Sequence, residues 1–149
     1  MKLREIISIL EGELVSEKAD LDMDIVCAAA ADLMSDVLAF AEPGSLLLTG
    51  LVNPHAVRTA EMADIVAIVF VRGKRPPPET IALAEEKGIP LVATSHTMFE
   101  MCGRLHRVGI RGCDISFALR EKGAEGAVGN ARRSGNRDAR DHQASGTGL

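Results

Sequence analysis

The sequence predicts an α/β fold: a compact, mostly parallel sheet flanked by helices over residues 1–112, followed by a junction and disordered tail over 113–149. Three observations carry this. Strand-sized apolar runs alternate with helical segments three times in succession, the order that parallel strands with right-handed crossovers produce. The run IVAIVFV at 65–71 is β-branched and uninterrupted, as in a strand covered on both faces. Beyond Ile110 the composition changes, and 121–149 is rich in Gly, Ala, Ser, Arg and Asp with almost no large apolar side chains. Such a segment cannot bury enough surface to offset its ordering entropy.

Each element has a local reason. Leu3, Ile6, Ile7 and Leu10 recur at helical spacing, and Glu11-Gly12 ends that helix. A short strand is expected at 13–15, then a polar connection through Asp24. The segment IVCAAA at 25–30 suits a strand or a helix start, because its alanines leave both readings open. Asp32 is placed to cap a helix over 33–41, with Leu33, Val37, Leu38 and Phe40 inward and Pro43-Gly44 as its stop. Residues 45–49 read as a buried strand. Asn53-Pro54 opens a helix to Met62: Asn is a favoured cap, and Pro at the first helical position gives up no needed N–H. Pro76-Pro77-Pro78 stiffens the connection to a helix at 79–87, which Gly88 closes. A strand follows at 90–94, and Thr97 with Glu100 has the form of a capping box for a helix reaching Val108.

Composition narrows the function. Apolar residues make up 46% and charged residues 26%, the balance of an ordinary globular domain. Four Phe without Trp or Tyr offer no stacking platform for single-stranded nucleic acid. A net charge of −4 argues against phosphate-backbone binding, and Asp138, Asp141 and Glu125 interrupt the arginines of the tail, so nucleic acid is not an expected partner. The N-terminal residues lack the apolar core of a signal peptide, and no run approaches the roughly 18 apolar residues of a membrane span. A cytoplasmic protein without membrane association is expected. Cys27, Cys102 and Cys113 are too few and too scattered for a disulfide framework or paired metal knuckles.

The segments Thr49-Gly50-Leu51-Val52-Asn53-Pro54, Arg58-Thr59-Ala60-Glu61-Met62-Ala63-Asp64-Ile65 and Ile68-Val69-Phe70-Val71-Arg72-Gly73-Lys74 resemble the DRTGG domain family. Met34-Ser35-Asp36-Val37-Leu38 and Thr97-Met98-Phe99-Glu100-Met101-Cys102-Gly103 fit the same pattern, so the resemblance covers about residues 1–112. Leu51-Val52-Asn53 stands where an Asp-Arg-Thr run would follow the first glycine, a departure that resembles the short stand-alone subgroup. The resemblance implies an α/β module that accompanies CBS domains in pyrophosphatases and forms an extra domain in phosphotransacetylases. In those relatives it serves dimerisation and regulation while catalysis lies elsewhere.

Ligands of open parallel sheets bind beyond the carboxyl ends of the strands, where three polar loops should gather. These are 49–53 at a helix start, the cationic 72–75, and 94–97 with its hydroxyls and imidazole. Asn53, Arg58, Arg72, Lys74, His96 and Thr97 are the candidate anion pocket. Asn53 and Thr97 are equally explained as helix caps, and Arg72, Lys74 and Arg75 as a solvated loop. No GxxxxGK[ST] or GxGxxG arrangement is present. No metal site or cofactor is implied, since no carboxylate or thiol accompanies His96, His106 or His55 at ligand spacing. Cys102 and His106 stand at i, i+4 without an orienting third group, so no residue is assigned a catalytic role.

The expected function is a non-catalytic regulatory or protein-interaction module that senses a small anionic metabolite or nucleotide. A homodimer is expected from the family and from the modest core, with a protein partner such as a kinase or metabolic enzyme. The alternative is an accessory subunit or enzyme of phosphoryl or acyl-phosphate metabolism.

Overall fold

A computed structural model describes residues 1–116 and 119. The chain runs α1 (Leu3–Ile9), β1 (Glu13–Leu14), β2 (Cys27–Ala30), α2 (Met34–Phe40), β3 (Leu46–Thr49) and α3 (Pro54–Met62). It continues through β4 (Ala67–Phe70), α4 (Pro78–Lys87), β5 (Leu91–Ala93), α5 (Met98–Arg107) and β6 (Arg111–Gly112). These elements belong to a compact unit, Met1–Asp114. The reading of 121–149 as a disordered tail lies outside the described residues.

The sheet order is β1-β5-β4-β3-β2-β6. All pairs are parallel except β1 with β5, where Glu13 faces Ala93 and Leu14 faces Val92. Alternate side chains of the central strands enter two separate cores, which is the period-2 geometry of a strand buried on both sides. Leu46, Leu48, Ala67, Val69 and Val92 pack with Leu3 and Ile6 of α1 and Met101 and Leu105 of α5. Leu47, Ile68, Phe70 and Leu91 pack with Val37 of α2, Val57 of α3 and Ala84 of α4. This unit therefore has three layers, with α1 and α5 on one face of the sheet and α2, α3 and α4 on the other. No helix among the described residues is long and apolar enough to cross a membrane.

The ambiguous alanines resolve as a strand because β3 offers them a parallel partner, with Ala28 to Ala30 paired to Leu46 to Leu48. The second helix differs from its expected form. It begins at Met34, Leu33 takes the capping position with extended backbone, and no side chain caps it. Met34 and Val37 face inward, whereas Leu33 is 61% exposed and Leu38 44%. Met34 and Val37 are three residues apart and share one face of the helix, so of the expected inward set Val37 stays buried while Leu33 and Leu38 turn to solvent. Asp32 is released from capping and spends its carboxylate elsewhere.

Candidate functional site

Asp32 follows the end of β2 and reaches across to the end of β3. Its Oδ1 accepts hydrogen bonds from the Thr49 hydroxyl at 3.1 Å and the Gly50 amide at 2.6 Å. The same Thr49 oxygen accepts from the Leu51 amide at 3.1 Å. One carboxylate thus sets the path of the loop leaving the central strand. Arg72 approaches it from the end of β4, with Nη2 3.9 Å from Asp32 Oδ2. Both side chains are about half exposed (53% and 55%), so water screens the pair and leaves it a weak tether. Gly50 lies between them. A Cβ there would stand 2.6 Å from Arg72 Nη2 and 3.3 Å from Asp32 Oδ1, so the missing side chain makes room for the guanidinium.

Arg72 and Gly73 are both left-handed (φ 61° and 70°) and form a tight turn that the Lys74 amide closes on the Val71 carbonyl at 3.2 Å. The turn is pinned to the next loop: the Arg72 amide donates to the His96 carbonyl at 2.7 Å, and the Gly73 amide to the Thr94 carbonyl at 2.9 Å. Thr94 is buried, and its hydroxyl donates to the Leu10 carbonyl at 2.9 Å. A left-handed non-glycine residue costs about 1–2 kcal/mol, and here the β5 loop holds it in place.

The six sequence candidates divide accordingly. Arg72 and His96 meet through the backbone, while the His96 imidazole turns to Glu11, with Nε2 3.4 Å from Oε2. Arg104 joins that group by donating to Glu11 at 2.9 Å, to Glu100 at 3.1 Å and to the Ile9 carbonyl at 3.1 Å. Arg104 first, and His96 second, hold the Glu11 carboxyl below its ordinary range. Thr97 caps α5 by accepting the Glu100 amide at 3.3 Å, but Glu100's carboxylate goes to Arg104, so only half of the expected capping box forms. Asn53 occupies the cap position of α3 without a side-chain cap bond. Asn53, Arg58 and Lys74 are exposed. Lys74 and Arg58 make no ion pair among the described residues, whereas neighbouring Arg75 is paired with Glu13.

A polar cleft of about 230 Å³ opens beside the turn, lined by Glu11, Glu13, Gly73, Arg75, Thr94 and Ser95. Its two glutamates are balanced by Arg104 and Arg75. Asp32 and Glu11 were missed as organisers of this edge. The available signal for Asp32 was its place just past a strand of a parallel sheet.

Titratable side chains cluster a second time at the β2–β6 edge. The Cys27 and Cys113 sulfurs and a Glu42 carboxylate oxygen all lie within 4.8 Å of one another. The two cysteines are scattered in sequence but adjacent in the fold. Glu42 receives both Arg111 nitrogens, at 2.8 and 2.9 Å, and the Asp114 amide at 3.0 Å. Arg111 draws the Glu42 carboxyl down to about 2, and burial pushes the Cys27 thiol up to about 11. Because Arg111 already occupies both carboxylate oxygens, Glu42 is a poor ligand for a cation. Cys102 lines a separate apolar cavity of about 210 Å³ with Leu105, His106 and Ile110, and burial raises its thiol pKa too. Cys102 is thus a partly buried thiol packed among apolar side chains.

The fold is similar to that of the CBS and DRTGG domains from the regulatory region of Clostridium perfringens pyrophosphatase, whose crystal structure holds the activator diadenosine tetraphosphate. The TM-score is 0.59 at 16% identity, and the match covers 70% of this chain and 45% of that one, so the chain spans under half of its neighbour. No curated protein matches the sequence. The family model of the DRTGG domain matches residues 5–108, from within α1 through α5, which takes in β1 to β5 but not β6. The chain belongs to the DRTGG domain family.

Proposed function

We propose that this chain is a non-catalytic regulatory module of the cytoplasm that binds a small anionic metabolite or nucleotide at the carboxyl edge of its sheet. The observation that carries the reading is Arg72. A non-glycine residue is kept left-handed by two backbone bonds to the next loop, and among the described residues its half-exposed guanidinium has a weak carboxylate partner in Asp32. Strain retained at a loop that presents a cation is the pattern of a pre-organised contact. Lys74 adds a second cation two residues on, and Asn53 starts a helix from the adjacent strand end. The activator bound by the pyrophosphatase regulatory region is a polyphosphate, which agrees in chemical class with this reading.

A thermal-shift series with inorganic phosphate, acetyl phosphate, ATP and diadenosine tetraphosphate tests it. A ligand that binds only the folded state raises its melting temperature, by about 2.7 kcal/mol of stabilisation at a hundredfold excess over Kd. Arg72→Ala with Lys74→Ala should abolish the shift. No shift with any of these anions, or turnover of any of them by the purified chain, would overturn the proposal.

The module is further proposed to act as a homodimer, with exposed Leu33 at the cap of α2 and Leu38 within it supplying apolar surface to a second copy. Light scattering should give a dimer that Leu38→Glu dissociates. A wild-type monomer at micromolar concentration would remove this part.

A further inference from the structure

We propose that Cys27 and Cys113 are a reversible redox pair, a site at which hydroperoxide joins β2 to the chain leaving β6 through a disulfide. The argument rests on placement. Cys27 opens β2 and faces Arg111 across the parallel register, and Cys113 follows Gly112 directly after β6. Arg111, two residues before Cys113, through its guanidinium, and Asp114, one residue after it, through its amide, are both held by the one carboxylate of Glu42. Glu42 therefore clamps the chain on either side of Cys113 and keeps its sulfur within 4.8 Å of Cys27. A disulfide needs about 2.05 Å between sulfurs. Cys113 lies outside any strand, so the remaining approach is a local side-chain and loop adjustment and not a sheet rearrangement.

The two thiols differ in access, which divides the chemistry between them. Cys27 is 1% exposed, whereas Cys113 is partly exposed, so peroxide reaches Cys113 first. The Cys113 thiolate takes one peroxide oxygen as the O–O bond breaks, giving a sulfenic acid, and the other oxygen leaves as water with the proton that Cys113 gave up. Cys27 then attacks the Cys113 sulfur. The S–S bond forms, the S–O bond breaks, and the hydroxyl departs as a second water with the Cys27 proton. Two thiols and one hydrogen peroxide thus give one disulfide and two waters. Burial pushes the Cys27 thiol up, so Cys27 must give up its proton as it attacks, and linkage is the slower of the two steps.

The test is treatment of the full chain with equimolar hydrogen peroxide, followed by thiol counting under denaturing conditions and peptide mapping. The free thiols should fall from three to one, with Cys27 and Cys113 in a single linked fragment and Cys102 unmodified. Dithiothreitol should restore all three. Cys113→Ser, at a partly exposed position, should leave the fold intact and abolish the link. Cys27→Ala should instead leave a Cys113 sulfenic acid that dimedone traps. Glu42→Ala should slow linkage severalfold while leaving the sulfenic step unchanged, as a positioning residue would. Linkage to Cys102, linkage between chains, or direct conversion of wild-type Cys113 to sulfinic acid would overturn the proposal. So would a purified protein whose Cys27 and Cys113 thiols are already masked by a bound zinc ion.

Discussion

Arg72 Nη2 lies 3.9 Å from Asp32 Oδ2, and the backbone of Gly50 passes close to both side chains. This relationship joins the ends of three neighbouring parallel strands. Asp32 belongs to the connection after β2, Gly50 to that after β3 and Arg72 to that after β4. The Asp32–Gly50 bond links the first two of these loops firmly, and the screened Arg72 pair adds a weak tether to the third.

Arg72→Gly separates strain from recognition. Glycine removes about 1 kcal/mol or more of left-handed strain and adds a comparable chain-entropy cost. Stability in urea should stay within about 1 kcal/mol of wild type, since the lost Asp32 pair is screened. The anion-induced thermal shift should vanish. A variant that is much less stable but still responds to anions would place the role of Arg72 in folding.

Gly50→Ala acts on the same contact from the backbone side. Its Cβ would stand 2.6 Å from Arg72 Nη2, and the flexible guanidinium can move away. The expected stability loss is under about 1 kcal/mol, the range of surface substitutions without a core defect. The response to anions should weaken by several-fold in concentration. An unchanged dose–response curve would show that the guanidinium position is not what matters.

Thr94→Val removes a buried hydroxyl that binds the Leu10 carbonyl at 2.9 Å and ties the end of α1 to β5. The orphaned carbonyl should cost about 1–3 kcal/mol, read from chemical denaturation. The pinned turn at Arg72 also leans on this loop, so amide exchange should accelerate at Arg72 and Gly73.

Glu42 sets an acid limb. Arg111 holds its folded carboxyl at about 2, below the ordinary 4.5. A depressed carboxylate stabilises the fold above its unfolded pKa, and that contribution is lost as pH falls from about 4.5 to about 2. Glu42→Gln should therefore flatten the stability profile in that window and leave it nearly parallel to wild type above pH 5. The difference will be modest, because Arg111 is half exposed. Equal slopes for both proteins in the acid window would contradict the assignment.

Much of the scaffold was legible because its cause is local. The run at 65–71 contains β4, Asn53-Pro54 starts α3 and Gly88 ends α4 in a left-handed conformation at φ 70°. Alternation of strand and helix implied the parallel sheet, and with it the edge where polar loops collect. The face of α2 was not legible, since Leu33, Met34, Val37, Leu38 and Phe40 spread apolar side chains over more than one face, and packing against the sheet selects Met34 and Val37.

By itself, the sequence determined the layered α/β class, the edge of the sheet that carries the polar loops, and the type and order of the elements other than β2, left open between strand and helix, and β6, which was not expected. These follow from hydrophobic period, capping preference and turn residues, which act over a few neighbouring positions. Only the tertiary structure decided that Asp32 serves Gly50 and Arg72 instead of a helix end, that the imidazole of His96 faces Glu11, and that Cys27 meets Cys113. Those contacts join residues that are distant along the chain, and strand order and register, not local spacing, bring them within reach.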